Sequence, residues 1–258
     1  MTDTAGDAGT GTTGTEVDPR PRRVRRIVTT RAGGVSQQPY DSFNLGGGVG
    51  DDPEAVQTNR TRLAIAAGLT PDRLVFMQQV HGTRVVPVDR PGPLPGTDGI
   101  VTDRADLGLV VLVADCVPIL AVDPAAGIIG AAHAGRRGAA DGIALELISA
   151  MRDLGADPRA IDVLLGPAIC GRCYEVPADM QADVERVLPG SAVDTDSGTP
   201  GLDLRRGLAR QLQDAGVGAV AVDPRCTRED SALYSHRRAT AAGATTGRLA
   251  GLVWMPSR

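Results

Sequence analysis

Apolar positions in this chain gather into short β-rich runs separated by turns that carry Gly or Pro, and between some of these runs the apolar spacing becomes helical. The first run, in RRVRRIVTTR, is strand-like. It leads into the loop AGGVSQQPYDSFNLGGGVGDDP, whose glycines take backbone angles closed to other residues. DDPEAVQTNRTRLAIAAGL predicts a helix: Asp52 is placed to cap it, Pro53 suits its first turn, and apolar residues recur at helical spacing. LVFMQQVHG and TRVVPVD predict a strand, a turn and a strand around His81 and Gly82. Three apolar segments come next, GIVTD, LGLVVLVADCVPILAVD and GIIGAAHAG. Their continuous apolarity, in place of alternation, predicts strands covered on both faces. HAGRRGAADGIALELISAMRDLG turns from strand to helix, and IDVLLGPAI reads as strand. VPADMQADVERVL and DLRRGLARQLQDAGV read as helices, GAVAVD and RLAGLVWM as strands. Nothing repeats internally and no linker divides the core, so the pattern predicts one α/β or α+β domain.

Composition narrows the function more than the fold. Residues 1–22 are polar and rich in Gly and Thr, too poor in apolar surface to offset the entropy of ordering, and are expected to form a disordered tail. The 258 residues suffice for a full core without staples. A net charge of -4 marks no general affinity for nucleic acid or an anionic membrane, so small-molecule substrates fit better. No apolar run reaches membrane-spanning length and the start lacks the order of a secretion signal, which makes a cytoplasmic address the expectation. Every basic side chain is arginine; the absence of lysine excludes Walker-type phosphate loops, PLP Schiff bases and lysine-dependent aldol chemistry. Imidazole chemistry is left to His81, His133 and His236.

Three metal-type donors stand in or beside the apolar β-segments: His81, Cys116 and His133. Two imidazoles and a thiolate suit a catalytic zinc, which keeps three protein ligands and one open position. Taken singly, each has a plainer reading, a cysteine as a small hydrophobe and a strand-end histidine bonded to a carbonyl. The costly Asp115 beside Cys116 weighs toward chemistry. Arg136 and Arg137 open the helix after His133, where free amides and guanidiniums favour an anion such as phosphate, although two solvated arginines would read the same way. Cys170 and Cys173 have the C-x-x-C spacing of redox pairs and zinc knuckles. With no second such pair, a loop of partly buried thiols near the site is favoured over a redox centre or a four-thiolate site. His236, in YSHRR, reads equally as a substrate contact or a surface residue.

SFNLGGGVGDDPEAVQTNR, QQVHG, TDGIVTD, ADCVPIL, AAHAGRRG, LGPAICGRCYEV, CTRED, YSHRR and TGRLAGLVW follow one another from about residue 24 onward. Together they resemble the YfiH-type laccase-domain family, whose members are also described as purine nucleoside phosphorylases and, in some bacteria, as a peptidoglycan editing factor. The resemblance implies a single α+β domain over residues 23–258, built as a four-layer α/β/β/α sandwich, with one catalytic zinc whose ligands match His81, Cys116 and His133. It also implies phosphorolysis of adenosine, inosine, guanosine and methylthioadenosine and hydrolytic deamination of adenosine. Asp115 is then the candidate proton carrier, and Asn44, Arg60, Arg136 and Arg137 are candidate contacts for substrate or phosphate. Where the family's HAGWRG motif usually has Trp, this chain has Arg136, which alters a pocket wall.

The family's older polyphenol-oxidase description fails on imidazoles: a multicopper centre that reduces oxygen to water needs far more than the three histidines present. Cu2+ at the same three-ligand site stays open, since copper outcompetes zinc in raw affinity. Two other readings stand beside the nucleoside enzyme. One is a Cys-His amidase, deamidase or peptidoglycan-editing hydrolase with Cys116 as nucleophile and His133 as base; the other is a non-catalytic metal-binding regulatory protein.

Overall fold

The computed structural model of the chain describes residues 23–256, so the expected disordered tail lies outside the described residues. In chain order the elements are β1 (Arg25–Val28), α1 (Pro53–Ala67), β2 (Leu74–Phe76), β3 (Val85–Pro87), β4 (Gly99–Thr102), β5 (Gly108–Val113), β6 (Val117–Asp123), β7 (Ile128–Ala134), α2 (Arg136–Ala140), α3 (Ile143–Asp153), β8 (Asp162–Leu165), α4 (Ala178–Val187), β9 (Ala192–Asp194), β10 (Pro200–Leu202), α5 (Leu204–Asp214), β11 (Ala219–Val222), α6 (His236–Ala241) and β12 (Leu249–Trp254). Two sheets carry the fold, one ordered β1-β12-β5-β2 and the other β11-β8-β6-β7-β4-β3, and β9 and β10 form a separate ribbon.

Side-chain alternation along the strands explains the layering. In β5, Leu109, Val111 and Val113 join an apolar cluster shared with Ile100, Leu120 and Ile129 of the other sheet. Val110, between them, joins Leu63 and Ala64 of α1 and Leu252 of β12 in a second cluster. In β6, Leu120 and Val122 face the first sheet, while Ile119 and Ala121 face Leu147 of α3 and Leu208 of α5. The order across the molecule is therefore α1, the four-stranded sheet, the six-stranded sheet, then α3, α4 and α5. Strands buried on both faces read as continuous apolar runs, as expected from the sequence. The sheets approach closely at Gly251 of β12, where a Cβ would lie 3.1 Å from Pro118 and 3.3 Å from Leu120 of β6.

The α1 expectation is met in detail: the Asp52 carboxylate accepts from the Glu54 amide, Pro53 opens the helix, and Gly68 closes it at φ 73°. Elsewhere the local pattern does not foresee where the chain goes. The strand, turn, strand around His81 is no hairpin: β2 pairs in parallel with β5 of one sheet, and β3 with β4 of the other. LGLVVLVADCVPILAVD is not one strand either. β5 and β6 lie in different sheets, and Ala114, Asp115 and Cys116 carry the chain across, with Asp115 at φ 86°. HAGRRGAADGIALELISAMRDLG forms two helices, α2 and α3, split at Gly142, whose φ of 96° no continuous helix accommodates.

Candidate metal centre

His81, Cys116 and His133 sit where these crossings meet. His81 lies on the β2–β3 link at φ 62°, Cys116 ends the β5–β6 link, and His133 is the penultimate residue of β7. Asp98, immediately ahead of β4 and fully buried, holds both imidazole-bearing segments. Its carboxylate accepts from the amides of Val80 at 3.1 Å, His81 at 3.0 Å and Gly82 at 2.8 Å, which fixes the unusual backbone at His81. The same carboxylate accepts from Nδ1 of His133 at 2.8 Å. With Nδ1 engaged there, Nε2 is the ring atom left to face the other donors, an outer-shell arrangement that fixes ring orientation and tautomer at metal sites. Burial alone would raise the Asp98 carboxyl, but the hydrogen bonds from His133, Gly82 and Val80 outweigh it and hold it below its ordinary value.

One atom from each of His81, Cys116 and His133 lies within 4.8 Å of the others, and the two rings meet edge to face with centroids 4.6 Å apart. Burial acts to raise the Cys116 thiol, yet hydrogen bonds and charge from His133 and His81 bring it down to about 7. Burial acts to lower His133, yet its bonds to Asp98 and Cys116 bring it up to about 9. Gly135 leaves the space these donors need: a Cβ there would sit 2.2 Å from Nδ1 of His81 and 3.2 Å from the Cys116 sulfur. Close, convergent, mixed N/S donors in a space that a methyl group would fill fit one divalent ion. Asp115, the costly carboxylate beside Cys116, is not stranded in a sheet. It accepts from Thr227 Oγ1 and from the Arg237 amide, each at 2.6 Å.

His81 and Cys116 line a cleft of about 340 Å³, with His133 buried behind them; Asp115, Arg136, Arg137, Tyr174, His236 and Arg237 also line it. Arg137 Nη2 donates to Val80 O at 3.1 Å, and the Arg237 guanidinium lies 5.2 Å from the Tyr174 ring centroid. His236 thus lies in the cleft, beside the other two histidines' site. Arg60 and Asn44 do not line it. Arg60 Nε and Nη2 both donate to Leu45 O, with the guanidinium 4.1 Å from the Phe76 ring. Asn44 is buried and ties Gly46, Asp51 and Arg248 together. Both shape the glycine loop. Sequence reasoning did not single out Asp98, Thr227, Arg237 or Arg248. The Arg248 guanidinium, lowered by burial, feels the charges of Cys116 and Asp115 and so lies within electrostatic reach of the centre.

A family model described as multi-copper polyphenol oxidoreductase laccase matches residues 25–256. The chain belongs to the laccase-domain family. This laccase-domain chain is 56% identical over 235 residues to a purine nucleoside phosphorylase of Mycobacterium tuberculosis, covering 90% of this chain and 92% of that one. To a purine nucleoside phosphorylase of Corynebacterium glutamicum it is 53% identical, with 93% and 98% covered. Among solved structures it is similar to YlmD of Geobacillus stearothermophilus, at TM-score 0.83 and 37% identity over 91% of this chain and 92% of that one. The hypothetical protein YfiH of Bacillus licheniformis matches with TM-score 0.83 and 33% identity over 90% and 92%. The mixed α and β architecture is that of these neighbours. The laccase-domain chain groups two imidazoles and one thiol at this centre, a donor set for a single ion rather than a cluster of coppers. No helix among the described residues is long and apolar enough to cross a membrane.

Proposed function

We propose that this chain is a metal-dependent purine nucleoside phosphorylase, with zinc held by His81, Cys116 and His133, and that the same cleft deaminates adenosine. The observation that carries this reading is the convergence of the three donors beside a cleft that His81 and Cys116 line and whose other walls present three guanidiniums and a carboxylate. The names of the relatives agree with it. When bound, the ion supplies Lewis acidity and brings a coordinated water's pKa toward about 7; Cu2+ at the same ligands is the competing occupant.

The chain's own residues supply the rest. Arginine binds phosphate oxygens with two parallel N–H groups, and Arg136, Arg137 and Arg237 hold phosphate in the cleft. A phosphate oxygen bonds to C1′ of the ribose as the bond from C1′ to the purine nitrogen breaks, and the purine leaves with that electron pair and takes up a proton. Asp115, oriented by Thr227 and the Arg237 amide, moves protons there and in the hydrolytic replacement of the adenine amino group by water. Tyr174 is the aromatic surface for the base. Asp98 and Gly135 act through the ligands, one by aiming an imidazole and one by leaving room. Nucleoside and phosphate are the partners this cleft fits.

The test is product analysis of adenosine, inosine, guanosine and methylthioadenosine with and without phosphate. Sugar 1-phosphate should form only with phosphate, inosine should also appear from adenosine, and His81→Ala, Cys116→Ala and His133→Ala should each lose both bound zinc and turnover. Full zinc occupancy in all three variants refutes the assignment.

A second reading has one observation in its favour, the Cys116 sulfur lying beside the His133 ring as nucleophile and base do in cysteine amidases and deamidases. It requires activity on amides or muropeptides that survives exhaustive chelation and is destroyed by alkylating the metal-free protein.

A further inference from the structure

Cys170, Cys173, Cys226 and Glu229 form a second cluster, made of residues apart from the first, with one ligand atom from each within 4.8 Å of the others. No second C-x-x-C exists in the sequence, but a carboxylate stands in for the missing thiol: Cys226-Thr227-Arg228-Glu229 repeats the spacing of Cys170-Gly171-Arg172-Cys173. Each segment is a tight turn. The amides of Cys173 and Tyr174 donate to Cys170 O at 3.0 and 2.9 Å, and the Asp230 amide donates to Cys226 O at 2.9 Å. Paired i, i+3 donors on two facing turns are the arrangement of zinc ribbons and knuckles. We propose that Cys170, Cys173, Cys226 and Glu229 bind one structural zinc ion, a second metal site in this chain.

Distances decide between one ion and none. Zn–S bonds of about 2.3 Å put tetrahedral sulfurs about 3.8 Å apart, so ligand atoms within 4.8 Å need to close by at most about 1 Å. Cys170 Sγ and Glu229 Oε2 already stand at 3.9 Å. The Cys170 amide donates to Cys226 Sγ at 3.3 Å. Three thiolates and a carboxylate exceed the charge of a divalent ion by two. Two arginines offset that excess: Arg172 lies 3.4 Å from Glu229 Oε1, and Arg228 Nη1 lies 3.5 Å from Cys173 O. Burial, with the neighbouring thiols, pushes the Cys173 thiol up to about 12, so zinc must displace protons as it binds. A simple Cys170–Cys173 disulfide would leave Cys226 and Glu229 without a role, and all four cysteines of the chain are free.

The ion would staple a wall of the cleft. Its two turns carry Tyr174, which lines the cleft, and Thr227, which bonds Asp115; Ile169, next to Cys170, donates its amide to Asp115 O at 3.0 Å. Thiolate-rich donors select zinc over harder cations.

Zinc counting on the full chain tests this independently of the nucleoside reading. After saturation with zinc and removal of excess, two ions per chain are expected in the wild type. One should remain in His81→Ala, one in Cys226→Ser, and none in the double variant. In His81→Ala, cobalt(II) should give strong thiolate charge-transfer absorption that Cys170→Ser weakens. Glu229→Gln, an exposed change that leaves the thiols in place, should lower zinc affinity by at least about 10-fold against a chromophoric chelator. A wild type carrying one ion, with the Cys170, Cys173 and Cys226 thiols all alkylated at full rate in excess zinc, overturns the proposal. So does a chain lighter by two hydrogens under non-reducing conditions, which would place a disulfide here.

Discussion

Asp98 binds no substrate in this reading, yet four donors from two segments point at its carboxylate. Asn at this position keeps the size but turns one acceptor oxygen into a donor that faces amides already donating. Asp98→Asn should therefore lower zinc affinity at the His81 site by about 10- to 100-fold, read by competition with a chelator; unchanged affinity would mean that the imidazoles are aimed by something else. Gly135 separates space from backbone freedom. Its φ of -74° is open to any residue, so Gly135→Ala carries no conformational penalty and acts only through the methyl group placed 2.2 Å from His81. Loss of zinc, with a urea midpoint nearly unchanged from that of the wild type when both are measured free of zinc, is the expected result, and retention of zinc would show that His81 moves aside freely. Donor identity was legible in the sequence because His and Cys are rare here. Asp98 was not, since an acid before a strand looks like any loop acid, and Arg60 and Asn44 read as ligand contacts because nothing local shows that Leu45 O and Gly46 already engage them.

Elements were legible where their signals are local. Asp52 and Pro53 open α1 within its own sequence, and each occupies its expected position, while Gly68 closes the helix at φ 73°. Removing the Asp52 cap should cost about 1 kcal/mol; Asp52→Ala should lower the unfolding free energy obtained from urea titration by that amount while kcat stays within twofold, and a large loss of kcat would tie α1 to the chemistry. Strands were legible as apolar runs but their partners were not, because pairing is decided by residues far away in sequence. Hence β2 and β3 look like a hairpin and separate into two sheets, and β5 and β6 look like one strand. The αL residue Asp115, which breaks that run, is stabilised by Thr227 and Arg237, both more than a hundred residues on. The second donor cluster was missed for a related reason, since half of it is a C-x-x-E that has no meaning until its turn faces Cys170 and Cys173.

At the scale of the whole molecule, the centre lies on the links by which the chain changes sheets. His81 sits between β2 and β3 and Cys116 between β5 and β6, while His133 belongs to the six-stranded sheet itself. An ion held by all three therefore ties both crossings to that sheet, and its binding energy becomes folding energy because the unfolded chain has no such site. At free zinc one hundred times Kd, linkage gives about 2.7 kcal/mol. Leu120 offers the control: fully buried between the sheets, it contributes packing that owes nothing to metal, and Leu120→Ala should cost about 2–5 kcal/mol with or without zinc. With Cys226→Ser present in every variant, so that only the His81 site titrates, the zinc-dependent gain in stability should persist in Leu120→Ala and vanish in His81→Ala. Urea unfolding at fixed free zinc measures both. If His81→Ala keeps the gain, the ion is bound elsewhere, and the crossings are held by packing and by Asp98 alone.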